Sequence, residues 1–434
     1  MRLRTSEVAD ATGGHLAGPD VEVDGATIDS RRLRGGELFV PIVAQRDGHD
    51  FVADALAAGA GAYLTSRAPQ GGTAVVVPET LAALAALGSH ARGLLPDRVV
   101  GITGSVGKTS VKDLLAATLS TTWTTAASAG SHNNELGVPL TLLGADESTE
   151  AVVVEMGARF VGDVRHLCAV ARPTIGVVTA VELVHTETFG TLHDVARAKA
   201  ELVEALPPHG TAVLNADEPL VAAMADRTAA AALRYGLHHG DVRAEGVTVD
   251  AELRPSFTLR SPWGDATVEL AVRGRHHVGN ALAAAAAALT CGVELEAVAA
   301  GLGRARLSAW RMALSRAPSG ALVLNDAYNA NPTSMAAALR ALVELDASRH
   351  IAVLGTMAEL GAASERQHAD IAALAGRLGV TVVAVGEPAY GVEVVDGIER
   401  ALDAVGEVGE GDAVLVKGSR VAGLERLAAH LLQR

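Results

Sequence analysis

A chain of 434 residues with 50 acidic and 36 basic side chains carries a formal net charge of -14, which argues against a nucleic-acid or anionic-membrane surface, since both need clustered positive charge. Apolar residues make up 49% and charged residues 20%, enough for packed cores in two to four domains of roughly 100–200 residues each. Those cores must rest on Ala, Val and Leu, because aromatics are only 3%.

The N-terminal stretch MRLRTSEVADATGG lacks the apolar run of a secretory signal. Cys168 and Cys291 form neither a CxxC pair nor a disulfide framework, which fits a reducing cytoplasm. Residues 1–96 mix short strand-like pieces (ATIDS, ELFVPIV, GAYLTS, TAVVV) with helix-like alanine stretches. Residues 97–312 alternate strand and helix: VVGITG then KTSVKDLLAATL, AVVVEMG then GDVRHLCAVA, TIGVVTAV then DVARAKAELVEAL, and GTAVLNA. The strands are apolar throughout, as expected for parallel strands covered on both faces. Residues 241–272 alternate like an antiparallel hairpin. NALAAAAAALTCGVELEAVAA is the most membrane-like stretch, but Glu294 and Glu296 interrupt it, and it reads as a buried helix of a soluble domain. Residues 313–434 hold a second βα series: GALVLNDAYNANP, IAVLGTM, VTVVAVG and AVLVKGS. The expected fold is α/β in three domains: a small α/β N-terminal domain, a central parallel sheet of the P-loop ATPase kind, and a C-terminal Rossmann-like domain.

GITGSVGKTS, residues 101–110, lies between a strand and a helix, the context a phosphate loop requires. Its spacing departs from the strict GxxxxGK[ST] pattern. Gly104 and Gly107 can adopt backbone angles closed to other residues, so amides from Gly104, Ser105 and Gly107 to Thr109 and Ser110 can face anionic oxygens. Lys108 can reach the β/γ-phosphates of ATP and the Thr109 hydroxyl can bind Mg²⁺. Glu155 ends the next strand, where a carboxylate holds Mg²⁺ or caps a helix. His185 stands just past the following strand, as a ligand, a proton carrier or a structural imidazole. Lys199 sits in a helix, and nothing in the residues around it singles it out.

TGSVGKTS, NNELGVPLTLL, EMGA, the His185 segment and ARAKAE, in this order, resemble the ATP-dependent Mur ligases of peptidoglycan synthesis. DSRRLRGGELFVPI, DGHDF, NDAYNANPTSMAAAL, VLGTMAELG and VLVKGSR extend the resemblance over nearly the whole chain. It implies a cytoplasmic, monomeric ligase with an N-terminal UDP-sugar domain (1–96), a central ATP domain (97–312) and a C-terminal ligase domain (313–434). ATP and Mg²⁺ would activate the carboxylate of UDP-N-acetylmuramoyl-tripeptide as an acyl phosphate, and D-alanyl-D-alanine would be the amine.

The family's roles fall on Lys108 and Thr109 for ATP phosphates and Mg²⁺, and on Glu155 and His185 for a second Mg²⁺. Lys199 matches the lysine carbamylated by CO₂, a change that turns a cation into a metal-binding anion. Asn280 matches an adenine contact. Arg311, Asp326, Asn329 and Asn331 match C-terminal residues that reach the nucleotide on closure. Ser30, Arg31, Asp47 and His49 match the UDP-sugar motifs, and Asn133 and Asn134 a motif near the reacting groups. DSR and DGHD also read as ordinary turns, and in NANP an Asn cap before Pro332 starts a helix. Lys417 and Arg420 in VKGSR hold an anion or cap a strand.

Departures from the family pattern are His277 in place of Asn, Thr356 in place of an acid, Asn325 and Ala327 in the DDSYNANP stretch, and a short loop at VAQRDGHDF. They leave open a related ligase of secondary metabolism with another acid or amine. A nucleotide switch that makes no bond is a second class, set against the retention of Glu155, His185 and Lys199.

Overall fold

The computed structural model describes residues 1–182 and 189–433; His185 lies outside them. The architecture is α/β, with three main sheets in chain order. The central one has nine strands in the order Gly264–Glu269, Pro255–Ser261, Val242–Val249, Ala231–Gly236, Thr211–Asn215, Ile175–Val178, Val99–Thr103, Ala151–Glu155 and Thr125–Ala127. From Val242–Val249 to Thr125–Ala127 neighbouring strands are parallel. The expected hairpin of residues 241–272 is the antiparallel edge, with a bulge between Glu245 and Thr248.

Val99–Thr103 pairs with Ala151–Glu155 on one side and Ile175–Val178 on the other. The chain therefore reverses its direction of winding at this strand, and the crevice beyond its C-terminal end is where ligands enter such sheets. Every residue of Val99–Thr103 and of Ala151–Glu155 is buried. Both faces of the sheet are covered, which is why the strands read as unbroken apolar runs.

One face carries helices Lys108–Leu119, His277–Thr290 and Leu295–Leu302. In the second of these, Ala283 to Ala288 are all 0% exposed. Alanine fits because the helix is enclosed on every side; Gly301 of the neighbouring helix comes so close to Lys108–Leu119 that a Cβ there would lie 2.6 Å from Thr118 Cα. The stretch that looked most membrane-like is thus an interior helix. Among the described residues no helix is long and apolar enough to cross a membrane.

The opposite face is covered by Gly137–Leu143, Asp163–Ala171 and Leu192–Glu204. Helix Thr80–Leu94 packs onto this layer as well, with Gly88 against Pro139, so its Leu84 and Leu87 share a core with Val152 and Val154. Ahead of that helix lies a five-stranded sheet in the order His15–Ala17, Ala74–Val76, Ala62–Thr65, Leu38–Phe39, Ala26–Thr27. The last sheet has six strands in the order Ala313–Arg316, Leu322–Asn325, Asp412–Lys417, Arg349–Leu354, Thr381–Val385, Val394–Val395, all parallel except the first. Asn325 and Lys417 close adjacent strands of it, so the residues that follow them share one edge.

Overpacking the alanine helix has no outlet. Ala286→Leu is expected to destabilise the protein by about 1–3 kcal/mol, read as a lower urea midpoint; an unchanged midpoint would show that the enclosure is loose.

Candidate active site

The loop between Val99–Thr103 and helix Lys108–Leu119 turns through Gly104 (φ +144) and Gly107 (φ +85). A Cβ on Gly104 would fall 2.0 Å from Thr179 Oγ1, and one on Gly107 would fall 2.6 Å from Asn280 Oδ1. Both glycines are thus required by backbone angle and by close approach. The loop is tied to the next strand end: Ser105 N donates to Ala180 O at 2.8 Å, Ser105 Oγ to Glu182 O at 3.0 Å, and Thr179 Oγ1 to Val106 O at 2.5 Å. Lys108 Nζ donates to the carbonyls of Gly104 (2.6 Å) and Ser105 (3.3 Å). Burial lowers its pKa, Glu155 opposes that shift, and the nearby Arg311 charge adds to it. Thr109 and Ser110 are buried at the helix start.

Glu155 is 1% exposed. Its Oε1 accepts from Asn133 Nδ2 at 2.8 Å, while Oε2 is buried with no hydrogen-bond partner. An unpaired buried carboxylate oxygen is costly, and a cation would satisfy it. Among the described residues no three His, Cys, Asp or Glu side chains converge as a metal cluster. The buried carboxylate of Glu155 suits Mg²⁺, which takes one or two carboxylates and fills its shell with phosphate oxygens and water.

Lys199 is 1% exposed, with Nζ 5.7 Å from the Phe189 ring centre. Burial, then the Lys108 charge, pulls its pKa down to about 7. An ordinary helix lysine in the sequence is thus a deeply buried amine that sheds its proton far more easily than an exposed one.

The third sheet contributes the opposite wall. Asp326 pairs with Lys417 and accepts from Met312 N at 3.0 Å; Lys417 also donates to Asn329 O at 3.0 Å. Arg311 stacks its guanidinium 4.3 Å from the Tyr328 ring centre. Asn331 caps helix Pro332–Val343 in a capping box with Ser334, the turn chemistry expected of NANP. Among the described residues, contacts that cross between the walls include Ser131 Oγ with Tyr328 Oη, Thr333 Oγ1 to Glu182 Oε2 at 2.6 Å, Arg159 with Glu359 at 3.6 Å and Arg275 with Glu344 at 4.0 Å. Sequence reading missed Glu182, Tyr328 and Thr333; their partners lie far away in the chain, and no local pattern marks them.

Most of these groups line one cavity of about 1240 Å³. It gathers Gly104, Ser105, Gly107, Lys108, Thr109, Ser110, Asn133, Asn134, Glu155, Lys199, Asn280, Arg311, Asp326, Asn329 and Asn331. Asn134 Oδ1 also accepts from Gly137 N at 3.0 Å, supporting the start of a helix. Ser30, Arg31, Asp47 and His49 are not among its lining residues. Arg31 grips Asp29 through Nε and Nη2, both at 2.8 Å. His49 is closed on protein partners: Nδ1 meets Asp47 Oδ1 at 2.7 Å and Nε2 accepts from Ser66 N at 3.1 Å.

Residues 102–288 match the Mur ligase middle domain family, and residues 310–420 the Mur ligase glutamate ligase domain family. The chain is 40% identical to the UDP-N-acetylmuramoyl-tripeptide–D-alanyl-D-alanine ligase of Mycobacterium tuberculosis, over all of this chain and 98% of that one. It is 36% identical to the ligase of the same name in Escherichia coli, over 99% and 98%. Among solved structures, MurF from Acinetobacter baumannii superposes with a TM-score of 0.89 at 29% identity, covering 100% of this chain and 99% of that one. MurF from Thermotoga maritima in complex with ADP gives 0.82 at 27%, covering 94% and 97%.

The depressed Lys199 pKa has a stability consequence. Between about 7 and the ordinary 10.5, the unfolded chain holds a proton at this lysine that the folded chain does not, so folding is favoured as pH rises through that window. In CO₂-free buffer the parent is expected to gain stability relative to Lys199→Met across it, measured by urea unfolding. A constant difference between the two would place Lys199 at an ordinary pKa.

Proposed function

The chain belongs to the Mur ligase family, and from that premise we propose that it joins D-alanyl-D-alanine to UDP-N-acetylmuramoyl-tripeptide at the expense of ATP, as a cytoplasmic monomer of three domains with boundaries near residues 96 and 312. One observation carries the reading. A phosphate loop, a buried carboxylate with an unsatisfied oxygen and a buried lysine that readily loses its proton line a single cavity with a second α/β wall opposite.

The substrate carboxylate attacks the γ-phosphorus of ATP; a new P–O bond forms as the bond to the bridging oxygen breaks and ADP leaves. The amine of the dipeptide then attacks the acyl carbon, the C–O bond to phosphate breaks, and the nitrogen gives up a proton as the amide forms. The protein's part is chiefly electrostatic. Lys108, freed from its own loop carbonyls, neutralises the transferring phosphoryl group, and the loop amides from Gly104 to Ser110 cradle the remaining oxygens. Thr109, Glu155 and Lys199 in carbamylated form would hold Mg²⁺, with His185 joining them by family resemblance. Bound there, Mg²⁺ supplies Lewis-acid charge neutralisation for the phosphates.

Carbamylation needs an unprotonated amine to attack CO₂, and burial beside Lys108 provides one in Lys199. Asn133 orients Glu155 through its 2.8 Å hydrogen bond. Asn280 would meet the nucleotide from beside the phosphate loop, Arg311, Asp326, Asn329 and Asn331 from the far wall, and closing that wall would keep water from the acyl phosphate. Ser30 and Arg31, whose side chain is 86% exposed, would receive the UDP-sugar. Asp47 and His49 shape the adjoining turn, since both nitrogens of His49 already have partners.

Phosphate release with ATP, Mg²⁺ and the UDP-linked tripeptide is expected to depend on D-alanyl-D-alanine, and the product to gain the mass of the dipeptide less water. Binding of ATP without turnover on this pair would move the assignment to another acid or amine. Lys199→Ala should lower turnover about a hundredfold or more, while a ¹³CO₂-labelled parent shows a carbamate carbon signal that the variant lacks.

A further inference from the structure

His277 opens helix His277–Thr290 and lines the cavity. It is 3% exposed. Its Nδ1 lies 3.0 Å from Asn280 Nδ2, and an amide nitrogen can only donate, so Nδ1 is the acceptor. Burial, with His276 and Arg311 adding to it, keeps the ring neutral. A neutral ring that accepts at Nδ1 carries its proton on Nε2. That Nε2 is buried and has no hydrogen-bond partner.

Arg311, on the opposite wall, repeats the pattern. Its Nε is also buried without a partner, although its guanidinium plane is stacked on Tyr328. Two unpartnered N–H donors thus line one cavity beside the phosphate loop. Orphaned buried donors are rare and costly. In a site built for a ligand, the economical reading is that the ligand supplies the acceptor. The same His277 ring also fixes the Asn280 carboxamide, whose Oδ1 lies directly over Gly107.

We propose that His277 is a nucleotide-binding residue: its Nε2–H donates to an acceptor of the bound nucleotide, either an adenine-ring nitrogen or a phosphate oxygen, while its Nδ1 sets the orientation of Asn280. This deepens the ligase reading and rests on it for the identity of the ligand. The chemistry it selects is a lone-pair acceptor facing a neutral donor. A group that presents a hydrogen at that position would leave two donors facing each other.

The test uses the full-length protein. Ring-nitrogen NMR of ¹⁵N-histidine-labelled protein, assigned with His277→Gln, is expected to show His277 as the Nε2–H tautomer without ligand and to shift on saturation with ADP. Parallel titrations with adenosine and with pyrophosphate separate the two sources of the acceptor: a shift with adenosine places it on the base, a shift with pyrophosphate on the phosphates. By calorimetry, His277→Phe should raise the Kd for ADP about tenfold. His277→Gln, whose amide nitrogen reaches the Nε2 position, should recover most of that loss. His277→Asn, which reaches only as far as Nδ1, should not. Thermal unfolding of each variant without nucleotide guards against a loss that merely reports misfolding. A parent that binds ADP while the His277 signal stays still, or a set in which Phe, Gln and Asn bind alike, overturns the proposal. A parent that binds no ADP overturns the ligase reading together with it.

Discussion

Lys108 and Lys199 are buried in one cavity, close enough to feel each other and Arg311, and this crowding of basic groups out of water is the constraint on which the rest of the site depends. Burial is the main influence lowering both lysines; at Lys108 Glu155 opposes it and Arg311 adds to it, and at Lys199 the Lys108 charge adds to it. Gathering like charges out of water is unfavourable twice over, by desolvation and by repulsion. The structure answers in two ways. Lys108 lies back on the carbonyls of its own loop, and Lys199 gives up its proton readily. Polyphosphate is the ligand that reverses both penalties, so the electrostatics that strain the free site are the same ones that favour its ligand.

That crowding is possible only because the backbone delivers the groups together. Val99–Thr103 is the strand at which winding reverses, so the phosphate loop, Glu155 and the segment after Ile175–Val178 all emerge at one edge. Gly104 and Gly107 then let Thr179 and Asn280 approach the loop at distances no side chain would permit. On the far face, the run of alanines lets His277–Thr290 sit close to Lys108–Leu119, which carries His277 and Asn280 to the same edge. Small residues here are less a weak core than a means of bringing helix starts close enough to share a ligand.

How much of this was readable from the chain follows from how local each cause is. The phosphate loop was legible because glycine spacing, lysine and hydroxyl all fall within ten residues between a strand and a helix. The capping role of Asn331 was legible for the same reason, and the antiparallel edge at residues 241–272 showed in its period of two. Lys199 was opaque: its neighbours spell an ordinary amphipathic helix, and its unusual amine results from burial beside Lys108, 91 positions earlier in the chain. Glu182 and Thr333 were opaque because they act across the cavity. His277 was visible only as a departure from a pattern, and its orphaned nitrogen is a property of three-dimensional placement. His49 shows the converse case, a residue whose sequence context suggests a ligand contact and whose two ring nitrogens are closed on Asp47 and Ser66.

The junction between the second and third sheets has a physical character of its own. At the cavity the walls meet through separate polar contacts, Ser131 with Tyr328, Glu182 with Thr333 and Arg159 with Glu359, each of a kind that exchanges with water at small cost. Beside these, Leu253, from the hairpin edge of the central sheet, is buried with Met312 among the core residues of the third, and Arg275 lies 4.0 Å from Glu344. Among the described residues five non-glycine positions have positive φ, and four of them, Leu253, Trp310, Met312 and Glu359, lie at this junction. Such backbone is costly by about 1–3 kcal/mol per residue and persists where surroundings over-determine it. Strained backbone and separate polar contacts thus sit side by side where the two walls meet. Arg311 lies between two of the strained residues and stacks on Tyr328, which itself bonds Ser131 across the gap. The placement of its orphaned Nε beside the phosphate loop is therefore set by how the third sheet sits against the second.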